Sequence, residues 1–200
     1  MAVAIKREMQ RKITHLLTQG PESRAMLAKL RRGIGKEPGE LPELFEIVFE
    51  NLPEGFFGKG GEPSREIWAI YTALTLFSLH QQGKDRPMSA SGEREGETSG
   101  DSLGAAVGRL VRKDMTREKT LKRRFDAVLT ADEFTELAHH ARGLIQLLKT
   151  EDIPLDYPKF AFDLYRYQFD EARNRVRLRW GEDYYRVMHT KMEQKEGVLS

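Results

Sequence analysis

The stretch "IWAIYTALTLFSLH" at 67–80 constrains this chain more than any other. Wound as an α-helix it has almost no polar face, because Trp68, Tyr71, Leu74, Leu76 and Phe77 carry apolar groups around most of its circumference. Leaving one such side chain in water forgoes roughly 1.5–3 kcal/mol of burial. The helix is therefore stable only if other elements cover it on every side. A bilayer is not the cover, since a span needs about 20 apolar residues and this run is shorter and carries hydroxyls and a terminal His80. Its place is the centre of a packed core, as a helix over 65–82 with Ser64 as N-cap.

The covering elements also read as helices, and no segment shows β alternation between tight turns. An amphipathic helix is expected over 3–19, and Ser23 is expected to cap a second that stops at Gly33. A loop over 33–42, a short helix over 43–52 and a loop over 53–63 lead to the central helix. Beyond the linker come helices over 102–113 and 117–129. Thr130-x-x-Glu133 reads as a capping box for the helix through 149. Asp156 is placed to cap a helix over about 157–169, and the last helix runs over 171–192. The expected fold is all-α, a helical bundle or two packed helical lobes, in a single unit over 1–200. Residues 83–102, "GKDRPMSASGEREGETSGDS", hold little to bury and are expected to form a mobile loop.

There is no cysteine, so disulfides, thiolate metal sites and a cysteine nucleophile are excluded. The N-terminus has charges and no apolar core of a signal peptide, which makes a cytoplasmic location the expectation. No P-loop, G-x-S-x-G elbow or H-E-x-x-H motif occurs. In "TADEFTELAHHARGLIQLLK" (130–149), Glu136-x-x-His139 has the spacing of a di-iron ligand pair, but no second copy exists. On a helical wheel Phe134, Leu137, Ala138, Ala141, Leu144, Ile145 and Leu148 form one apolar stripe. His139, Arg142, Gln146 and Lys149 line one flank of it, while His140 falls on the other. Diverging histidines cannot share a metal. No catalytic residue, metal or cofactor is expected.

Charge is distributed more informatively than its total. The chain is +2 overall, yet residues 103–124 carry eight Lys/Arg against Asp114 and Glu118, leaving the remainder at −4. Arg109, Arg112 and Lys113 gather at i, i+3 and i+4 on one helix; Lys122, Arg123 and Arg124, with Lys119, lie on the next. Arg24, Arg31 and Arg32 make a further patch, and "RNRVRLRW" (173–180) adds four arginines. Spacing alone allows a solvated face as readily as phosphate binding. The preference for Arg favours phosphate, because a guanidinium can pair two of its oxygens. Gly104 and Gly108, one turn apart, permit a close helix approach. Trp68, Phe125, Tyr157 and Trp180 read as core residues rather than stacking platforms.

"LAKLRRGIG", "IYTALTLFSLHQQG", "SLGAAVGRLV", "KRRFDAVLTAD", "ELAHHARGLIQLLK", "IPLDY" and "VRLRWGEDYYR" occur in this order. Together they resemble the CasB family, the small subunit of the type I-E CRISPR Cascade complex. The resemblance implies a non-enzymatic, all-helical subunit that packs as two copies, head to tail, beside other Cascade subunits. It further implies contact with guide RNA and target DNA, chiefly the displaced non-target strand, through the backbone rather than the bases. The positions it points to are Arg31, Arg32, Arg123, Arg124 and Arg142. Ala105 stands where the family pattern commonly has a basic residue. The rival expectations are a pure protein-interaction subunit without strand contacts, and a metal-dependent nuclease using Glu136 and His139.

Overall fold

The computed structural model of the chain describes residues 1–18, 20–90 and 101–196, and its plan follows from covering the apolar helix. Among these residues the α-helices are α1 (Ala2–Leu16), α2 (Pro21–Arg32), α3 (Phe45–Phe49), α4 (Arg65–Gln81), α5 (Leu103–Lys113), α6 (Glu118–Thr130), α7 (Phe134–Thr150), α8 (Tyr157–Tyr167) and α9 (Asp170–Glu196). Short 3₁₀ turns precede α3, α4 and α6. No strand occurs among the described residues, only an isolated bridge between Ser89 and Leu155. The all-α expectation holds. No described helix is long and apolar enough to cross a membrane.

Helix α4 starts as expected, with Ser64 Oγ accepting from the Ile67 amide at 3.1 Å. Helices α1, α2, α7 and α8 pack around it, and Ile70, Ala73, Leu74 and Phe77 are wholly buried. The hydroxyls of Thr75 and Ser78 would be stranded in such surroundings, so they turn back onto the helix. Thr75 Oγ1 donates to the Thr72 carbonyl (3.0 Å) and Ser78 Oγ to that of Thr75 (2.6 Å). At the C-terminal end His80 Nδ1 lies 3.1 Å from the hydroxyl of buried Tyr157.

The second half of the chain is held by two devices. On α5, a Cβ at Gly104 would sit 1.8 Å from the Trp180 carbonyl oxygen, and one at Gly108 would sit 3.0 Å from that of Tyr184. The glycine pair thus lets α5 and α9 meet backbone to backbone, as its spacing permits. Between α8 and α9, the carboxylate of buried Asp163 accepts from Trp180 Nε1 at 2.7 Å and from the Arg179 guanidinium. Burial raises the Asp163 carboxyl above the usual range in spite of its cationic partner.

Several local expectations fail. Ser23 does not cap α2: Pro21 opens the helix, and the buried Ser23 hydroxyl pairs with Thr18 Oγ1 at 2.9 Å. Thr130 ends α6 rather than capping α7, and donates to the Asp126 carbonyl. The helix cap is Glu133, and Glu136 reaches back to the Asp132 amide (3.2 Å), half of a capping box without its hydroxyl. Gly33 does stop α2 as expected, with a right-handed φ of −79°; a Cβ there would collide with Tyr71 and Leu44. The linker contributes to the core at its near end, where Met88 is fully buried and its amide bonds Gln81 Oε1 at 2.8 Å. The remaining part of the expected mobile loop, 91–100, lies outside the described residues.

Two outcomes follow from this packing. Gly104→Ala should cost at least about 3 kcal/mol in urea denaturation, with Gly108→Ala milder, because a Cβ would come within 1.8 Å of backbone at the first and 3.0 Å at the second. His80 is buried, which lowers its pKa from 6.5 to about 4, with Lys84 and Lys149 adding to the effect. The unfolded chain then binds more protons between those values, so the contribution of His80 is complete above pH 6.5 and lost as pH falls toward 4. Relative to His80→Gln, the native chain should lose about 2 kcal/mol between pH 7 and 5. Buried Asp163 and Asp156 act in the opposite sense, and the difference between the two proteins cancels them.

Candidate nucleic-acid interface

Helix α7 presents the expected flank: its apolar stripe is buried, with Phe134 and Ala138 partly so, while His139, Arg142 and Gln146 are exposed and Lys149 is half-buried. From His139 to Lys149 this flank runs about 15 Å. At each end lies a cluster of cations contributed by other helices.

Near the N-terminal end, α6 packs on α7 and they enclose a groove of about 470 Å³ lined by Arg123, Arg124, His139, His140 and Gly143. A Cβ at Gly143 would lie 3.8 Å from Arg124 Nη1, so the guanidinium rests over α7 at the residue that leaves it room. The side chains of Arg123, Arg124 and Arg142 have no ion-pair or hydrogen-bond partner among the described residues. The histidines do not diverge as expected: their rings meet edge to face at 5.4 Å, and both border the groove. It is His140, not His139, that faces Glu136, at 3.7 Å. No group of three or more metal-ligating side chains occurs among the described residues.

At the other end, Arg24 and Arg31 of α2 border a groove of about 680 Å³ together with Gln82 and Lys84 after α4. Lys149 donates to Gln82 Oε1 at 2.9 Å. Burial lowers the Lys149 pKa, and the charges of Lys84 and Arg31 lower it further. Cations crowded this closely repel one another, which makes the site receptive to an anion. Lys84 was hidden in the sequence because it falls in the segment read as a mobile loop. It pairs with Asp152, and Arg86 beside it donates to the Asp152 carbonyl.

The other candidates are already engaged. Arg109 pairs with Asp101 at 2.6 Å, Lys113 with Glu151 at 3.6 Å, Arg32 with Glu43 at 2.9 Å, and Lys122 with Asp126. Arg112 donates to the Val187 carbonyl at 3.4 Å, toward α9 rather than toward either groove. Of the four arginines in "RNRVRLRW", Arg173 bonds Asp170, Arg177 bonds Asp132 and the Ala131 carbonyl, and Arg179 bonds Asp163. Only Arg175 of that run lacks a partner among the described residues. Those arginines hold the fold.

Known proteins share this architecture. The family model for CRISPR-associated protein Cse2 matches residues 26–185. The structure of CasB from Thermobifida fusca is similar, with 27% identity, a TM-score of 0.71, and coverage of 90% of this chain and 97% of that one. A chain of a CRISPR RNA-guided surveillance complex shares the fold at 19% identity and a TM-score of 0.68, covering 98% of this chain and 99% of its own. A Cse2-family protein from Thermus thermophilus does so at 23% identity and a TM-score of 0.63, with 90% and 97% covered. No curated protein matches.

Proposed function

From the fact that this chain belongs to the Cse2 family of CRISPR-associated proteins, we propose that it is a non-catalytic subunit of a CRISPR RNA-guided surveillance complex, and that it holds the displaced non-target DNA strand. One observation carries the strand-holding part. Two clusters of cations lacking carboxylate partners, Arg123–Arg124–Arg142 and Arg24–Arg31–Lys149, lie at the two ends of one exposed helix flank. Pairing with an internal carboxylate would quench such charges, and the paired arginines elsewhere show that this chain has acids to do so. Among the described residues Arg31 meets only the Ser78 carbonyl at 3.5 Å and Lys149 only Gln82 Oε1, so with the other four they present cationic groups to phosphate along a path rather than at a point. Backbone contacts of this kind suit a subunit whose complex reads sequence by RNA–DNA pairing. The guide-RNA backbone, neighbouring subunits and a second copy of the chain are the remaining proposed partners, and the cytoplasm the proposed compartment.

A second reading, a protein-interaction subunit without strand contacts, draws on a different surface. Phe45 and Phe57 are exposed around Phe49, with acidic Glu46, Glu50 and Glu54 nearby in the chain. Footprinting of the displaced strand in a reconstituted complex separates the two readings, since only strand holding protects it.

The direct test is binding of the purified chain to single-stranded DNA across a salt series. Reversing Arg123, Arg124 and Arg142 to Glu should weaken binding at least about tenfold and flatten the log–log salt slope by roughly 2, at about 0.7 per lost phosphate contact. Thermal stability should stay within about 0.5 kcal/mol of the parent, because these side chains bond nothing among the described residues. Unchanged affinity and slope would place the strand elsewhere.

A further inference from the structure

A cavity of about 300 Å³ opens between the turn over 33–37, α4 and α7, directly beside the proposed strand path. Trp68, Leu76 and Phe134 supply apolar walls, Thr72 a hydroxyl, and His139 and Arg142 form the lip. Trp68 is the exception among the aromatics read as core. Phe125, Tyr157 and Trp180 are 0–1% exposed, whereas Trp68 is only partly buried, with its ring set edge to face against Phe134 at 5.8 Å.

Building on the strand-holding reading, we propose that this cavity receives one unstacked nucleobase from the strand whose phosphates lie along α7. Placement supports it first: His139 borders both the cavity and the α6–α7 groove, and Arg142 has no partner among the described residues, so a phosphate held there puts its own base at the mouth. Chemistry supports it next. Its walls include the Trp68 and Phe134 rings, which offer a π-face to any base, while Thr72, Lys36 and Glu37 bring polar groups to the same space. The volume sits at the lower end of small-molecule sites, which suits a single base. Finally, the space is left open where it need not be. Ala138 lines it, and a larger apolar residue there would bury wall surface that now meets water.

The inference separates cleanly from the reading beneath it when two labelled single strands are compared, one with bases and one abasic, of equal length and therefore equal phosphate charge. The base-bearing strand should bind the purified full-length chain about tenfold more tightly, with the same salt slope. It alone should quench tryptophan emission, because Trp180 is fully buried and Trp68 is the other tryptophan. Trp68→Ala should abolish the preference for bases. Ala138→Leu, which fills the cavity and leaves every charge in place, should do the same. Arg142→Gln should lower the slope for both strands alike. Equal affinity for the two strands, or an equal loss for both on Trp68→Ala in a folded protein, overturns the base site and leaves phosphate tracking intact. Absence of salt-dependent binding to either strand overturns phosphate tracking, and the base site with it.

Discussion

Everything in this molecule is arranged around a helix that cannot face water. With apolar groups around nearly its whole circumference, α4 leaves its neighbours no choice but to enclose it, and α1, α2, α7 and α8 do so. Each of these covering helices has a buried side dictated by α4 and an outer side free of that duty. Part of the proposed interface occupies those outer sides: Arg24 and Arg31 sit on α2 and Arg142 and Lys149 on α7, while Arg123 and Arg124 reach the site from α6, which packs on α7.

A division of labour among the arginines follows from the same geometry. Those whose helices pack tightly on acidic neighbours are consumed by the fold. Arg179 supports Asp163 and through it Trp180, and Arg177 ties α9 to the turn before α7. Those on α6 and on the flank of α7 meet no acid among the described residues. A buried carboxylate such as Asp163 would be costly without Arg179, which explains why an arginine-rich run ends up as internal bracing rather than as binding surface.

How far the sequence speaks depends on how local the cause is. The caps at Ser64 and Asp156, the glycine-mediated contact of α5 with α9 and the apolar stripe of α7 follow from residues within a turn or two of one another, and all were legible. The capping roles given to Ser23 and Thr130 were misread because a nearby proline and a longer α6 took precedence. Which cations are free was not legible. Arg32 finds Glu43, Lys113 finds Glu151 and Arg177 finds Asp132 across distances that no window on the chain reveals. Trp68 was assigned to the core for a related reason: its partner Phe134 is supplied by another helix, and whether two rings close over a gap or leave one is a question of packing.

One modest feature reaches beyond the core. The amide of Ala90 bonds the Leu155 carbonyl, and the amide of Asp156 bonds the Asp101 carbonyl. Ala90 and Asp101 are thereby held against consecutive residues, so the residues that open α8 also fix where the approach to α5 begins.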